Sequence, residues 1–157
     1  VRYRLAHALL MSKINYSLEV YTGTSSGNID YLKRIVRRIV RYVFDVRVRD
    51  HDRVSELVPD FLGCEFHNYL HLRSLLCFYK IMKLGQPIFL VDDFTFIHST
   101  RNIQIEIPRI HLSILERSFK VRVCRIWNHL PSTLRLFSYS YLIYKKHLLN
   151  WFVLNVS

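Results

Sequence analysis

The stretch NIDYLKRIVRRIVRYVFDV, Asn28 to Val46, decides how the rest of the chain is read. Ile29, Leu32, Ile35, Val36, Ile39, Val40 and Val43 recur at steps of three and four, which places them on one stripe of an α-helix. Lys33, Arg34, Arg37, Arg38 and Arg41 fall mostly on the other side. Such a helix needs a core for one face and water or a polyanion for the other. Asn28 is a good N-cap residue, and Asp30 in the first turn favours the positive end of the helix dipole. Just upstream, TGTSSGN supplies turn formers that separate this helix from an earlier one. That earlier helix is expected from Arg2 to about Val20, where Leu5, Leu9, Ile14 and Leu18 keep near-helical spacing.

Downstream, DVRVRDHDRVSELVPDFLG reads as a turn-rich piece ending in a brief helix closed by Gly63. From Glu65 the steps between Leu72, Leu75, Leu76, Tyr79 and Met82 predict another helix, with Gly85 as its C-cap and Pro87 forcing a break. IFLVDDF, Ile88 to Phe94, suits a short helix, and RNIQIEIP, Arg101 to Pro108, alternates like a strand or extended arm. Phe119, Val123, Ile126, Trp127 and Leu130 share a helical face between Leu115 and Leu130. A last helix is expected from Ser138 to about Phe152. The fold class that follows is mainly α, an irregular helical bundle with an extended or short β segment around residues 94–110. It is read as a single helical domain spanning 1–157.

RIWNHLPSTLR, Arg125 to Arg135, is expected to be a joint in that bundle. Trp127 belongs to the apolar stripe, Pro131 biases Leu130 out of helical geometry, and Asn128 is placed to bond the carbonyls freed at the helix end.

A chain of 157 residues, half of them apolar and with ten Tyr and ten Phe, can bury a core without staples and is not a disordered tail. Twenty-three Lys and Arg against twelve Asp and Glu leave a formal charge of +11, which attracts polyanions. The last acid is Glu116, so the C-terminal quarter carries only basic charge. Three widely spaced cysteines, Cys64, Cys77 and Cys124, suit a reducing compartment better than a disulfide framework, and the expected location is intracellular, nuclear or cytoplasmic. No apolar run reaches the roughly 18 to 20 residues that span a bilayer, so no membrane partner is expected. VRYRLAHALLMSK lacks a signal-peptide cleavage pattern, and a start at Val1 reads as part of a longer frame.

Two constellations invite a chemical reading. In LVDDF, the paired Asp92 and Asp93 are the residue type with which polymerases hold two divalent metals. Such a site also needs a third carboxylate and a tight strand hairpin, and Asp92 and Asp93 are instead expected at a helix end or on the surface. In CEFHNYLHLRSLLC, His67 and His71 lie at i and i+4 with Cys64 and Cys77 flanking, a spacing that suits zinc. A metalloprotease would carry Glu where Asn68 stands, so structural histidines are the favoured reading. The four glycines form no phosphate loop, and nothing activates Ser132 beside His129. No catalytic residue, metal ligand or cofactor is therefore assigned.

Read in order, YSLEVYTGTSSGNIDYLKRIVRRIVRYVF, RVSELVPDFLGCEFHNYLHLRSLLCFYKIMKLGQPIFL, FTFIHSTRN, ERSFKVRVCRIWNHLPSTLR and YKKHL form a series. It resembles the region after the catalytic palm in reverse transcriptases of non-LTR retrotransposons, of the jockey-like insect type. The resemblance covers about Ile14 to Leu149, and its markers are a Gly-Asn helix start, FYKI, a Pro followed by Leu, SFKV and WNHLP. It implies a thumb-like, post-palm fragment of an RNA-directed DNA polymerase whose metal-binding aspartates lie upstream, outside this chain. The chain would then be no enzyme by itself, and its partners would be template and primer backbone and the upstream palm of the same polypeptide. The closing NWFVLNVS departs from the pattern.

Residues and resemblance meet in one mechanism, in which helices bury their apolar stripes and turn basic side chains to RNA or DNA phosphates. Lys33, Arg34, Arg37, Arg38 and Arg41 on the first such helix, and Lys120, Arg122 and Arg125 beside Trp127, are the expected contacts, with Arg135 a further candidate. The alternative is a stand-alone basic helical protein, derived from such an element, that binds nucleic acid or another partner. A zinc enzyme built on His67 and His71 is a third and weaker reading.

Overall fold

The structure is a computed structural model, and it describes the chain except for Ser17, Val48, Thr100, Arg101, His111 and residues 155–157. The first helical run comprises α1 (Arg2–Leu5), a π-helical turn (Ala6–Met11) and α2 (Ser12–Asn15). It stops where Tyr16 takes an extended ψ of 116°. A single turn, α3 (Leu18–Tyr21), follows, so the one helix expected through Val20 is two pieces. The inward residues also differ from the expected stripe. Ala6 and Met11 are buried while Leu5 and Leu9 are exposed. The wider π turn brings residues five apart onto one face, and a count at 3.6 residues per turn misplaces them.

The helix read from Asn28 is α4 (Ser26–Phe44), and it begins earlier than expected. Ser25, with ψ 155°, is the N-cap, and its carbonyl accepts the amides of Asn28 and Ile29 at 3.0 and 3.2 Å. Asn28 lies inside the first turn. Val36, Ile39 and Val40 are buried, with Ile29, Leu32, Ile35 and Val43 packed around them, as the sequence pattern requires. The helix ends at Asp45, whose φ of 57° is left-handed, and the amide of Val46 closes the turn on the Arg41 carbonyl at 3.1 Å. α5 (His51–Leu62) is longer than the brief helix expected, and Gly63 at φ 86° closes it, its amide donating to the Pro59 carbonyl at 2.7 Å.

α6 (Phe66–Leu84) ends at Gly85 with φ 64°, and the Gln86 amide reaches the Ile81 carbonyl at 3.3 Å, which is a Schellman closure. The chain groups into two compact units, one taking in residues up to Leu70 and the other beginning at His71. The first has its own core of α4 and α5 residues together with Ala6, Met11, Leu18, Phe66 and Leu70.

In the second unit, α7 (Ile88–Val91) leads to the antiparallel strands β1 (Phe96–Ser99) and β2 (Asn102–Ile105), in the register Phe96 to Ile105 and Ser99 to Asn102. This is the short β segment expected around 94–110. A single turn, α8 (Ser113–Glu116), precedes α9 (Phe119–His129). The expected continuous helix from Leu115 is interrupted because Ser118 caps the second piece, its hydroxyl accepting the Val121 amide at 3.4 Å. A 3₁₀ turn (Ser132–Leu134) and α10 (Tyr141–Leu154) complete the unit. α10 starts three residues later than expected and carries on through Leu154, so the helix takes in most of NWFVLNVS, and the rest of that stretch lies outside the described residues.

Trp127 is the centre of this second core, with no exposed surface. Its ring stacks on Phe137 at 4.9 Å and takes the edge of Phe78 at 5.2 Å, while Phe78 meets Phe94 at 4.8 Å. Leu130, with ψ 151°, leaves the helix ahead of Pro131 as expected. Asn128 has a different task from the one read in the sequence. Its Oδ1 accepts the Ile105 amide at 2.9 Å and its Nδ2 donates to the Ile105 carbonyl at 2.8 Å. The side chain thus extends the β2 edge as a neighbouring strand would, and Trp127 adds a bond from Nε1 to the Ile103 carbonyl at 3.2 Å. The mainly helical fold with a short β segment is the one the sequence specifies.

Candidate nucleic-acid interface

With its apolar stripe buried, α4 has an outer face, and the side chains on it divide. Lys33, Arg34 and Arg38 are exposed. Arg37 is half-buried and donates from Nη2 to the Ser55 hydroxyl of α5 at 3.0 Å. Arg41 is half-buried as well. The five expected phosphate contacts are therefore not equivalent: Arg37 is tied to α5 and Arg41 is partly covered, so their charges are less open to a ligand. Helical angle alone does not separate them, since Arg38 and Arg41 each lie about 100° from the nearest buried residue, Ile39 and Val40; what sets Arg37 apart is its tertiary partner on α5.

The structure adds two residues that the charge pattern did not single out. Tyr31 and Tyr42 are 58% and 50% exposed on the same outer face. Arg34 lies 5.8 Å from the Tyr31 ring centroid, and Arg2 the same distance from that of Tyr42. Spacing alone could have found this face. Residues 31, 34, 38 and 42 step by three, four and four, which is the rule used for the apolar stripe applied to its opposite side. Asp30 lies among the cations, and Asp45 at the helix end pairs with Arg2 at 3.2 Å.

At the N-terminal end of α4 a cleft of about 460 Å³ opens between the loop after α2 and the helix. Tyr16, Tyr21 and Tyr31 line it with Lys13, Thr24 and Asn28. Tyr16 is 80% and Tyr21 55% exposed. The Thr24 hydroxyl is withdrawn from solvent and has no hydrogen-bond partner among the described residues.

In the second unit the expected contacts on α9 are engaged within the protein. Lys120 pairs with Asp93 at 3.6 Å and Arg125 with Glu116 at 3.1 Å. Arg122 is half-buried, and Arg135 is buried rather than presented to a ligand. Exposed ion pairs of this kind contribute about 1 kcal/mol or less and exchange readily for phosphate, so Lys120 and Arg125 are weaker candidates than the α4 cations. The exposed cations of α10, Lys145 and Lys146, face no such carboxylate in any ion pair seen among the described residues.

Asp92 and Asp93 are exposed at the end of α7, where Asp93 meets Lys120. Among the described residues, no three His, Cys, Asp or Glu side chains are grouped to hold a metal ion. Cys64 is buried, and burial, with Glu65 adding to it, pushes its thiol up to about 11. It stays protonated at neutral pH. The three cysteines are free thiols. No helix among the described residues is long and apolar enough to cross a membrane.

No protein-family profile, curated protein or solved structure matches this chain.

Proposed function

We propose that the chain binds the backbone of RNA or DNA as the thumb-like, post-palm part of a retrotransposon reverse transcriptase, and that catalysis belongs to an upstream palm of the same polypeptide. The observation that carries the binding is the outer face of α4, where Lys33, Arg34 and Arg38 are exposed on a helix whose opposite face is locked into a core. A net charge of +11 adds long-range attraction for a polyanion. The assignment to a reverse transcriptase rests on the ordered sequence resemblance alone. In this reading affinity is electrostatic and independent of base sequence, because arginines on a helix surface meet phosphates without reaching base edges.

The test is fluorescence anisotropy with a labelled oligonucleotide at low salt. Binding that weakens steeply as salt rises, and that falls at least tenfold in the triple reversal Lys33→Glu, Arg34→Glu, Arg38→Glu, supports the reading. Absence of binding at low salt sinks it.

A second reading, a free-standing basic helical protein derived from such an element, shares the same surface. The reading frame upstream of Val1 separates the two. Palm motifs with an aromatic-x-Asp-Asp strand turn favour the polymerase fragment, and an initiating Met with its own transcript favours the free-standing protein.

A further inference from the structure

We propose that the tyrosine cleft of the first unit takes unpaired nucleobases, and that the outer face of α4 continues it as a track for single-stranded nucleic acid. The proposal rests on the nucleic-acid reading above and narrows it to one class of strand.

The cleft volume of about 460 Å³ falls within the range of small-molecule pockets. What distinguishes it is its lining. Three tyrosines, Tyr16, Tyr21 and Tyr31, stand 80%, 55% and 58% exposed around one opening. Aromatic side chains carry large apolar faces, so three left open in one place form a platform that gains by being covered. Planar bases cover such faces well, and each stacked base contributes about 1–3 kcal/mol whatever its identity. Lys13 at the cleft wall is exposed and places a positive charge beside it.

Tyr31 belongs both to the cleft and to α4, and this makes the cleft continuous with the basic face. From Tyr31 the exposed positions run through Arg34 and Arg38 to Tyr42. Eleven residues of helix cover about 16 Å. Two cations flanked by aromatic rings are the combination that holds a single strand, with rings for bases and guanidinium groups for phosphates. A duplex keeps its bases paired and stacked on one another, so it could use the cations but not the rings.

A proline-rich peptide also lies in aromatic grooves. It would leave Lys13, Arg34 and Arg38 without countercharge, and the basic balance of the chain favours the polyanion.

The test uses the full 157-residue chain and four probes: a labelled 12-nucleotide oligouridylate, an RNA duplex of the same length, an abasic strand of the same charge, and an unlabelled proline-rich peptide as competitor. The oligouridylate is expected to bind at least tenfold tighter than the duplex or the abasic strand. Tyr16→Ala and Tyr31→Ala are each expected to weaken it about 5- to 100-fold and leave duplex binding and the salt slope unchanged. Tyr16→Phe and Tyr31→Phe, which keep the ring and guard against misfolding, are expected to retain most of the affinity.

Equal binding of all three nucleic acids, or alanine variants that bind oligouridylate normally, would overturn the single-strand proposal and leave the backbone reading standing. No binding of any nucleic acid at low salt would remove both. Displacement of the oligouridylate by the peptide at equimolar concentration would overturn the proposal in favour of a protein partner.

Discussion

Tyr79 and Tyr144 stack at 3.8 Å with both rings buried, yet their hydroxyls differ. Tyr79 donates to the Tyr139 carbonyl at 2.6 Å, whereas the buried Tyr144 hydroxyl has no hydrogen bond among the described residues. A buried polar group left unpaired costs about 1–3 kcal/mol, and a satisfied one contributes about 1 kcal/mol. Tyr144→Phe is therefore expected to raise stability by about 1 kcal/mol and Tyr79→Phe to lower it by about as much, read from denaturant midpoints. Trp127→Ala should cost about 3–5 kcal/mol, as large truncations in a core do, and a variant of unchanged stability would contradict its place at the centre of the second unit. The thiols give a pH signature. Burial pushes Cys64 and Cys124 from 9.0 up to about 11, so the folded state holds their protons longer than the unfolded chain does. Their contribution to stability is complete below pH 9 and is lost as pH rises toward 11. Replacing both by Ala should flatten part of that alkaline fall in an unfolding series.

Among the elements, the hairpin and α9 depend on each other. A hairpin of two four-residue strands is marginal without a further partner, and Asn128 supplies one by pairing with both backbone groups of Ile105. Asn128→Ala is expected to cost about 2 kcal/mol and to speed amide hydrogen exchange in β1 and β2 more than in α10. Exchange that rises equally throughout the unit would contradict this local role. Asn128 was legible in the sequence as a residue at a joint, but its partner was not, because the bond runs to a residue 23 positions away and spacing reports only neighbours. The helix ends were legible where backbone geometry calls for glycine, at Gly63 and Gly85, and were less so at Asp45, which takes the same left-handed backbone, and at the helix starts capped by Ser25 and Ser118. Gly85→Ala meets no atom within 4 Å, so its expected cost of about 1 kcal/mol is that of the left-handed backbone alone.

At the scale of the molecule, periodicity identified the buried side of α4 because burial imposes a regular stripe, and Val36, Ile39 and Val40 lie where it put them. The polar side follows a weaker rule. Counting charges marked Arg37 and Lys120 as equal to Arg34, and only tertiary partners, Ser55 and Asp93, set them apart. Tyr31 and Tyr42 carry no charge, so a reading led by basic residues passed over them. The proposed function requires that phosphates meet Lys33, Arg34 and Arg38. That requirement can be read from the slope of log affinity against log salt for a labelled single strand, compared between the chain and its Lys33→Gln, Arg34→Gln, Arg38→Gln variant. Each lost phosphate contact removes about 0.7 from that slope, so the variant is expected to be shallower by about 2. An unchanged slope, with the variant folded, would contradict the claim.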